Sequence, residues 1–320
     1  MDKKEMPLNS IYEDERGTYI VYNGDKGTMP VISINANTIP AAWELAVLSC
    51  FNHGTKVSTH YDREGDPPSI EATIMVRVEN PFNEPRIHKN FPGGPKELEV
   101  YRQEVVEGIH DHWINPREGK WTYTYHNRIF NYNPSSDLNA ENMGKLLEKG
   151  VNQIEEGVIK PLLKDITSKG AQATTWIPMA DPASPGDRPC LQHLWFRVLE
   201  NDNNYYLNLE TLWRSRDLYK AWFMNAYALS DLQRKVAGIL SERTNKKINV
   251  GCYIDISNSL HIYGQDHSKE NFKDDIKKMR EESIEKRIWN SDHPAFKIMT
   301  EETREDLAKD PDFYAKGNVK

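Results

Sequence analysis

Two β-rich runs open the chain, Thr18-Tyr19-Ile20-Val21-Tyr22 and Val31-Ile32-Ser33-Ile34. Asn23-Gly24 lies between them, a dipeptide that favours tight turns, so the runs are expected as a hairpin or as two edge strands. Ala41 to Leu48 is rich in helix formers, and the helix is expected to stop near Gly54. From Ile70 to Val78 apolar and polar residues alternate over most of the length, the period of a half-buried strand. The stretch Asn80 to Pro95, rich in Pro, Gly and Asn, reads as loop. A helix is expected from Glu97 to His112, an aromatic strand over Trp121 to Tyr132, and helical spacing of apolar residues recurs from Leu146 to Ile166.

The centre is the most regular part. Leu194 to Leu199 and Tyr205 to Trp213 read as a hairpin around Glu200 to Asn204. A long helix follows, with Leu218, Ala221, Trp222, Asn225, Leu229, Leu232, Val236 and Ile239 on one face. Val250 to Ile256 reads as a strand and His261-Ile262-Tyr263 as another short one. From Ser268 onward the chain is charge-rich and mostly helical, and its Lys/Glu/Asp run reads as a solvated helix face laced with ion pairs.

Composition narrows the class. The 320 residues are 38% hydrophobic and 28% charged, which suits a soluble globular protein. No run of about 18 apolar residues is present to span a membrane, and Met1 to Glu5 lead into no secretory apolar region. Three cysteines, Cys50, Cys190 and Cys252, stand far apart without a Cys-x-x-Cys pair. That fits a reducing cytoplasm better than a disulfide framework or a zinc ribbon. A net charge of -7 gives no ground for general nucleic-acid binding, yet a nucleoside monophosphate needs only a few local cations. His110-Asp111-His112 offers two imidazoles but no third metal ligand at recognisable spacing, so a solvated helix end accounts for it better.

Asn225 is chemically out of place. It sits in the apolar stripe of its helix, where an unsatisfied carboxamide costs about 1–3 kcal/mol. Its partner is either backbone or a bound amide such as a uracil ring. Just upstream, Arg214-Ser215-Arg216-Asp217 marks the end of a strand and the start of that helix. Cations and a hydroxyl there suit a phosphate, and an ordinary cap with ion pairs explains them equally well.

Taken in order, Asp187-Arg188-Pro189-Cys190-Leu191-Gln192, Trp213-Arg214-Ser215-Arg216-Asp217, Asn225 and His261-Ile262-Tyr263 resemble the thymidylate synthase family, in particular its shorter archaeal-type members. The resemblance is specific over Trp176 to Tyr263 and traceable from Ala41. Tyr61-Asp62-Arg63-Glu64-Gly65 looks like the family's phosphate-covering arginine loop. Tyr123 to Arg128 looks like its Tyr-Gly segment, with Tyr125 near the substrate. Glu104-Val105-Val106 looks like its Glu-Leu-Leu carboxylate, with Glu107 as rival.

The resemblance implies an α+β fold with a large twisted mixed sheet flanked by helices, dimerising through the sheet face. It implies C5 methylation of dUMP with methylene-tetrahydrofolate or a methanopterin-type analogue as co-substrate, and no metal. Cys190 would add to C6 of the ring as a thiolate favoured by Arg214, raising carbanion character at C5. Tyr125, or a water held by Glu104, would take the C5 proton, and Glu104 would relay protons to O4. Asn225 would donate to O4 and accept from N3–H, a pattern that fits uracil and conflicts with cytosine. Arg63, Arg214 and Ser215 would hold the phosphate beside Asp217, and His261 and Tyr263 the sugar hydroxyl. Where the family usually presents two arginines to a neighbouring subunit's phosphate, this chain has Ser168-Lys169-Gly170, leaving Lys169 as a single point charge. Ala221 replaces a glycine, Trp213 a glutamine, and the usual closing strand and apolar tail are absent.

Three functions are consistent with these residues. The first is thymidylate synthesis. The second is a hydroxymethyltransferase of the same fold, in which water replaces hydride. The third is a nucleotide or nucleic-acid binder without catalysis, which retention of Cys190 beside Arg214, Asn225 and Tyr263 argues against. The expected organisation is a catalytic domain over 1-267, including an N-terminal β extension (1-40), followed by a charged, mainly helical extension over 268-320.

Overall fold

The computed structural model describes residues 9–24, 27–59, 62–133, 150–184 and 187–314. In chain order, β1 (Asn9–Asp14), β2 (Gly17–Tyr22) and β3 (Val31–Ala36) lead into α1 (Ile39–His53), β4 (Thr55–Val57), β5 (Ser69–Val78) and β6 (Ile87–His88). Then come α2 (Gly94–Glu107), α3 (Tyr125–Phe130), α4 (Lys160–Lys164), β7 (Gln172–Thr174), β8 (Leu191–Asn201), β9 (Asn204–Trp213) and β10 (Arg216–Asp217). The chain closes with α5 (Ala221–Thr244), β11 (Ile248–Ile262), α6 (Gly264–His267), α7 (Glu270–Glu281), β12 (Ile288–Trp289) and α8 (Pro294–Lys309). These fall into two units. Unit 1 is Met1–Pro92, Trp213–Phe223 and Ile254–Ser291; unit 2 is Gly93–Leu212, Met224–Tyr253 and Asp292–Lys320.

In unit 1 the strand order is β1-β2-β3-β5-β11, with β4 on β5 and β10 on β11. The sheet is mixed: β2 and β3 are antiparallel, whereas β3 and β5 run parallel with Ile32 opposite Ile74. Val21, Ile32, Ile34, Ile74 and Val76 alternate onto the buried face, as period-two side-chain direction requires. Helix α1, which packs on β3 and β5, is buried from Ile39 through Cys50. Thr38 caps its start and Gly54 ends it, because a Cβ at Gly54 would meet the Cys50 oxygen and Ile70 Cγ2 at 2.6 Å. Burial this complete forces Glu44 to find charged partners. His88 Nε2 donates to it at 2.8 Å, Arg287 binds it through Nε at 2.7 Å and Nη2 at 3.0 Å, and Arg16 adds a third contact at 3.0 Å. Burial alone would push this carboxyl up; the His88 and Arg287 bonds outweigh it and hold it at about 2. The His88 ring is kept neutral by its burial, with Nδ1 accepting from Asn90 N–H.

In unit 2 the order is β11-β9-β8-β7, with α2, α3, α4, α8 and most of α5. Asp202 and Asn203, at φ 49 and 60, make a left-handed two-residue turn between β8 and β9, tighter than the five-residue loop expected. Glu99 of α2 is buried and binds Arg102 and Arg304, which ties α8 to α2.

Several elements differ from the sequence expectation. Trp121 to Tyr132 is no strand: Thr124 Oγ1 accepts from Asn127 N–H at 2.9 Å and starts α3 at Tyr125. Helix α2 stops at Glu107 rather than His112, since Gly108 takes φ 70 and any Cβ there would meet the His126 ring at 2.2 Å. Ile87–His88, inside the expected loop, pairs with β12. The two strands expected over 250–263 are one, β11, and α5 begins at Ala221 rather than Leu218. Of the helix expected from Leu146, residues 146–149 lie outside the described residues; the rest forms a π-helical turn at Ile154–Ile159 running into α4. Tyr61 of the arginine-loop motif is also outside them.

Candidate active site

In unit 2, Cys190 stands at the entrance to β8, half-buried. The loop that carries it is tied to α3. Arg128 donates to Asp181 at 2.8 Å, Asp181 accepts from Ile177 N–H, and Thr122 Oγ1 donates to the Asp187 oxygen at 3.0 Å. Tyr125 accepts from Leu191 N–H through its hydroxyl at 3.3 Å, next to the cysteine. Its ring lies 5.6 Å from that of Tyr123. Burial pushes the Tyr123 phenol well above its ordinary range, and Tyr125, Cys190 and Tyr101 are its electrostatic neighbours. Tyr101, on α2, in turn accepts a hydrogen bond from Asn225 Nδ2. Tyr125 thus bonds the residue next to Cys190 and Tyr101 bonds Asn225, a residue only 4% exposed, with Tyr123 the electrostatic neighbour of both tyrosines and of the cysteine. The buried Asn225 has a side-chain hydroxyl as partner, rather than the backbone.

The other two cysteines are differently placed. Cys50 is fully buried, which pushes its thiol far up, and its Sγ points at the Ile70 oxygen. Cys252 Sγ lies 3.1 Å from Asn208 Oδ1.

Glu104 is one helical turn beyond Tyr101 on α2, with 16% of its side chain exposed, and His110 Nδ1 lies 3.0 Å from its Oε2. Glu107 is 45% exposed and paired with Lys235 Nζ at 3.1 Å. His110, Asp111 and His112 bind separate partners: Glu104 and the Pro311 oxygen, Thr124 and His126, and Asp312, respectively. Among the described residues no group of His, Cys, Asp and Glu is arranged to hold a metal ion. Lys169 is exposed; its carbonyl accepts from Trp195 Nε1 at 2.8 Å.

Unit 1 gathers the remaining predicted residues. Arg63 is exposed on a turn closed by Asp66 N–H donating to the Arg63 oxygen and Arg63 N–H to the Asp66 carboxylate. Arg214 is exposed after β9, 3.1 Å from Ser215 Oγ. Asp217 accepts from the amides of Tyr219, Lys220 and Ala221, capping the start of α5, and pairs in register with His261 of β11. Burial draws the His261 imidazole below its ordinary value, against the pull of Asp217. Its Nε2 is buried without a hydrogen-bond partner, and its ring packs edge-on to Tyr263 at 4.6 Å. Two shallow surface clefts, one including Leu162 and Arg243 and one including Asn90 and Lys278, contain none of these residues.

Tyr101, Tyr123 and His110 stand beside the predicted residues without having been singled out as site residues: Tyr123 lies two residues before Tyr125, and Tyr101 three residues before Glu104, the helical spacing that puts both on one face.

Thermostable thymidylate synthase A from Bacillus subtilis matches the structure with a TM-score of 0.53, covering 79% of this chain and 86% of that one at 19% identity. At that identity the match defines the fold: thymidylate synthase-like, a large mixed sheet with helices. No protein-family model matches the chain. Three archaeal proteins named "Putative thymidylate synthase" are similar in sequence. That of Methanosarcina mazei is 30% identical over 237 residues, spanning 73% of this chain and 90% of its own. That of Methanosarcina acetivorans is 29% identical over 233 residues, with 73% and 90% covered. That of Methanothermobacter thermautotrophicus is 26% identical over 246 residues, with 72% and 93% covered. The chain belongs to the thymidylate synthase family. No helix among the described residues is long and apolar enough to cross a membrane.

Proposed function

We propose that this chain methylates dUMP at C5, with Cys190 as the nucleophile that adds to C6. The observation that carries the reading is that unit 2 holds the half-buried Cys190 beside Tyr125, whose hydroxyl bonds Leu191 N–H, together with the buried Asn225, whose amide bonds the Tyr101 hydroxyl. As the C6–S bond forms, the ring π electrons move toward C5 and O4, and C5 becomes the nucleophile. Methylene-tetrahydrofolate, or a methanopterin-type analogue, supplies the one-carbon unit and the hydride. A flat apolar surface suits such a pterin, and Trp121, 42% exposed and edge-on to Trp113 at 4.9 Å, offers one in unit 2. Asn225 reads O4 and N3–H, selecting uracil over cytosine. Glu104, less exposed than Glu107 and with no lysine partner among the described residues, is assigned the proton relay toward O4; Tyr125, or a water at Glu104, receives the C5 proton. Arg63, Arg214 and Ser215 are assigned to the phosphate, Asp217 to holding the strand–helix junction beside them, and His261 and Tyr263 to the sugar. The unpartnered Nε2 of His261 supports that last role. The working form is a homodimer, in which Lys169 adds a charge toward the second subunit's phosphate; sedimentation should then give twice the 37.0 kDa chain mass.

Incubation with C5-tritiated dUMP and methylene-tetrahydrofolate should release tritium and yield a nucleotide with a methyl group in place of the C5 hydrogen, and Cys190→Ser should abolish both. A hydroxymethyl product would replace hydride by water as the last step. Absence of both tritium release and a modified nucleotide, with either carrier, would sink the proposal.

A further inference from the structure

The hydrogen bonds of His110 determine which of its nitrogens carries hydrogen. Its Nε2 lies 3.1 Å from the Pro311 carbonyl oxygen, and its Nδ1 lies 3.0 Å from Glu104 Oε2. A carbonyl only accepts, so Nε2 is the N–H that donates. In a neutral imidazole Nδ1 is then bare and also only accepts. The contact with Glu104 therefore needs one more proton. Either a neutral Glu104 carboxyl donates to Nδ1, or an imidazolium donates to the carboxylate. Both arrangements hold the same single proton, differing only in where it sits.

The ring has little freedom to do otherwise. It stacks on Trp113 with centroids 3.6 Å apart and planes within 10°. Trp113 Nε1 donates to Asp312 Oδ1 at 2.7 Å, and His112 Nε2 meets the same oxygen at 2.9 Å. Both anchors, the Pro311 carbonyl and the Asp312 carboxylate, lie just beyond α8. Asp111, the other charged group of this turn, is taken up by Thr124 and His126.

We propose that His110 is a positioning residue that shares a transferable proton with Glu104, its tautomer set by the chain segment that follows α8. This rests on Glu104 being the carboxylate that relays protons in the proposed reaction. When the pair passes its proton toward the substrate it is left as a Glu104 carboxylate beside a neutral ring, one net negative charge, and it returns to net neutrality when the proton is recovered. A second consequence is that the C-terminal segment, through the backbone carbonyl of Pro311, controls the donor on which Glu104 depends.

Two measurements on the full-length protein test this. Nitrogen-15 NMR of labelled histidine should show His110 protonated at Nε2, with the Nδ1 resonance moving in Glu104→Gln. An Nδ1–H tautomer, or an Nδ1 signal indifferent to Glu104→Gln, would overturn the proposal whatever the enzyme does. In kinetics, His110→Phe should lower kcat about tenfold to a hundredfold with KM for dUMP within about twofold, the split expected when proton transfer rather than binding is impaired. His110→Asn, which can still reach Glu104 from the Nδ1 position, should recover part of that loss, and Asp312→Ala should give a smaller loss of the same kind. Unchanged kcat in His110→Phe, with Glu104→Gln inactive, refutes the coupling. No tritium release by the unsubstituted protein refutes the functional reading instead, and NMR still decides the proton arrangement.

Discussion

Asn225 could be singled out from its neighbours because a carboxamide in an apolar helical stripe is costly unless bonded. Its partner could not, since Tyr101 lies 124 residues earlier in the chain and nothing local encodes a contact at that separation. Removing the hydroxyl should therefore expose the cost. Tyr101→Phe leaves the Asn225 amide, 4% exposed, without its acceptor, and is expected to lower stability by about 1–3 kcal/mol. It should also let the carboxamide turn, weakening the preference for dUMP over dCMP. Thermal unfolding and paired binding measurements of the two nucleotides check this; unchanged stability together with unchanged discrimination would remove Tyr101 from the site. The same contrast holds for the rest of the residue set: Cys190, Arg214, Asn225 and Tyr263 are recognisable because they sit in ordered motifs, whereas His110 reads only as half of a metal pair with no third ligand, and its anchor at Pro311 lies 201 residues away.

At the scale of elements, periodicity is legible wherever one face is buried: β2, β3, β5, β8, β9 and α5 lie close to where the pattern puts them, and α1 where its helix formers do. It failed at α3, where aromatic residues resemble a strand and a Thr124 cap decides for a helix. It also could not show that Glu44, within a run of helix formers, is fully buried. That burial makes α1 depend on charge. Glu44→Ala would strand Arg287, itself 4% exposed, and is expected to cost about 3–5 kcal/mol. The pH dependence follows from the direction of the shift. The folded carboxyl titrates at about 2 against an ordinary 4.5, so its contribution is complete above about 4.5 and is lost as pH falls from there toward 2. Acid unfolding of the unsubstituted protein should steepen in that window, and Glu44→Gln should flatten it; identical acid profiles would exclude the carboxylate as the cause. A second element-scale prediction concerns the Arg63 turn. A Cβ at Gly264 would fall 1.7 Å from the Pro67 oxygen and 3.5 Å from Asp62, so Gly264→Ala must displace the turn that presents Arg63. It is expected to weaken dUMP binding by about 1–2 kcal/mol, roughly tenfold in KM, with kcat less affected. A KM equal to that of the unsubstituted protein would separate the turn from phosphate binding.

For the molecule as a whole, the charged stretch from Ser268 reads in sequence as a solvated appendage to the catalytic domain. Its anchors give it another role. Within unit 1, Arg287 binds the buried Glu44, Tyr219 donates to Asp275 at 2.6 Å, and β12 pairs with β6. Within unit 2, Arg304 binds the buried Glu99 and Pro311 fixes His110. Removing a partner from a buried ion pair costs about 3–5 kcal/mol, which applies to Glu44 losing Arg287; Glu99 would lose the half-exposed Arg304 but keep Arg102, a smaller loss. Phe272, Ile276, Met279, Phe296 and Leu307, all buried, would go as well, each worth about 1.5–3 kcal/mol. Total stabilities are only about 5–15 kcal/mol, so these losses exceed what the remaining chain can absorb. A chain ending at His267 should consequently fail to reach the native state, appearing insoluble or without a cooperative thermal transition. Cooperative unfolding of the shorter chain near the full-length temperature would mean that the region after Ser268 is dispensable to the fold. The coupling of His110 to that region would then have to be a functional contact rather than a by-product of folding.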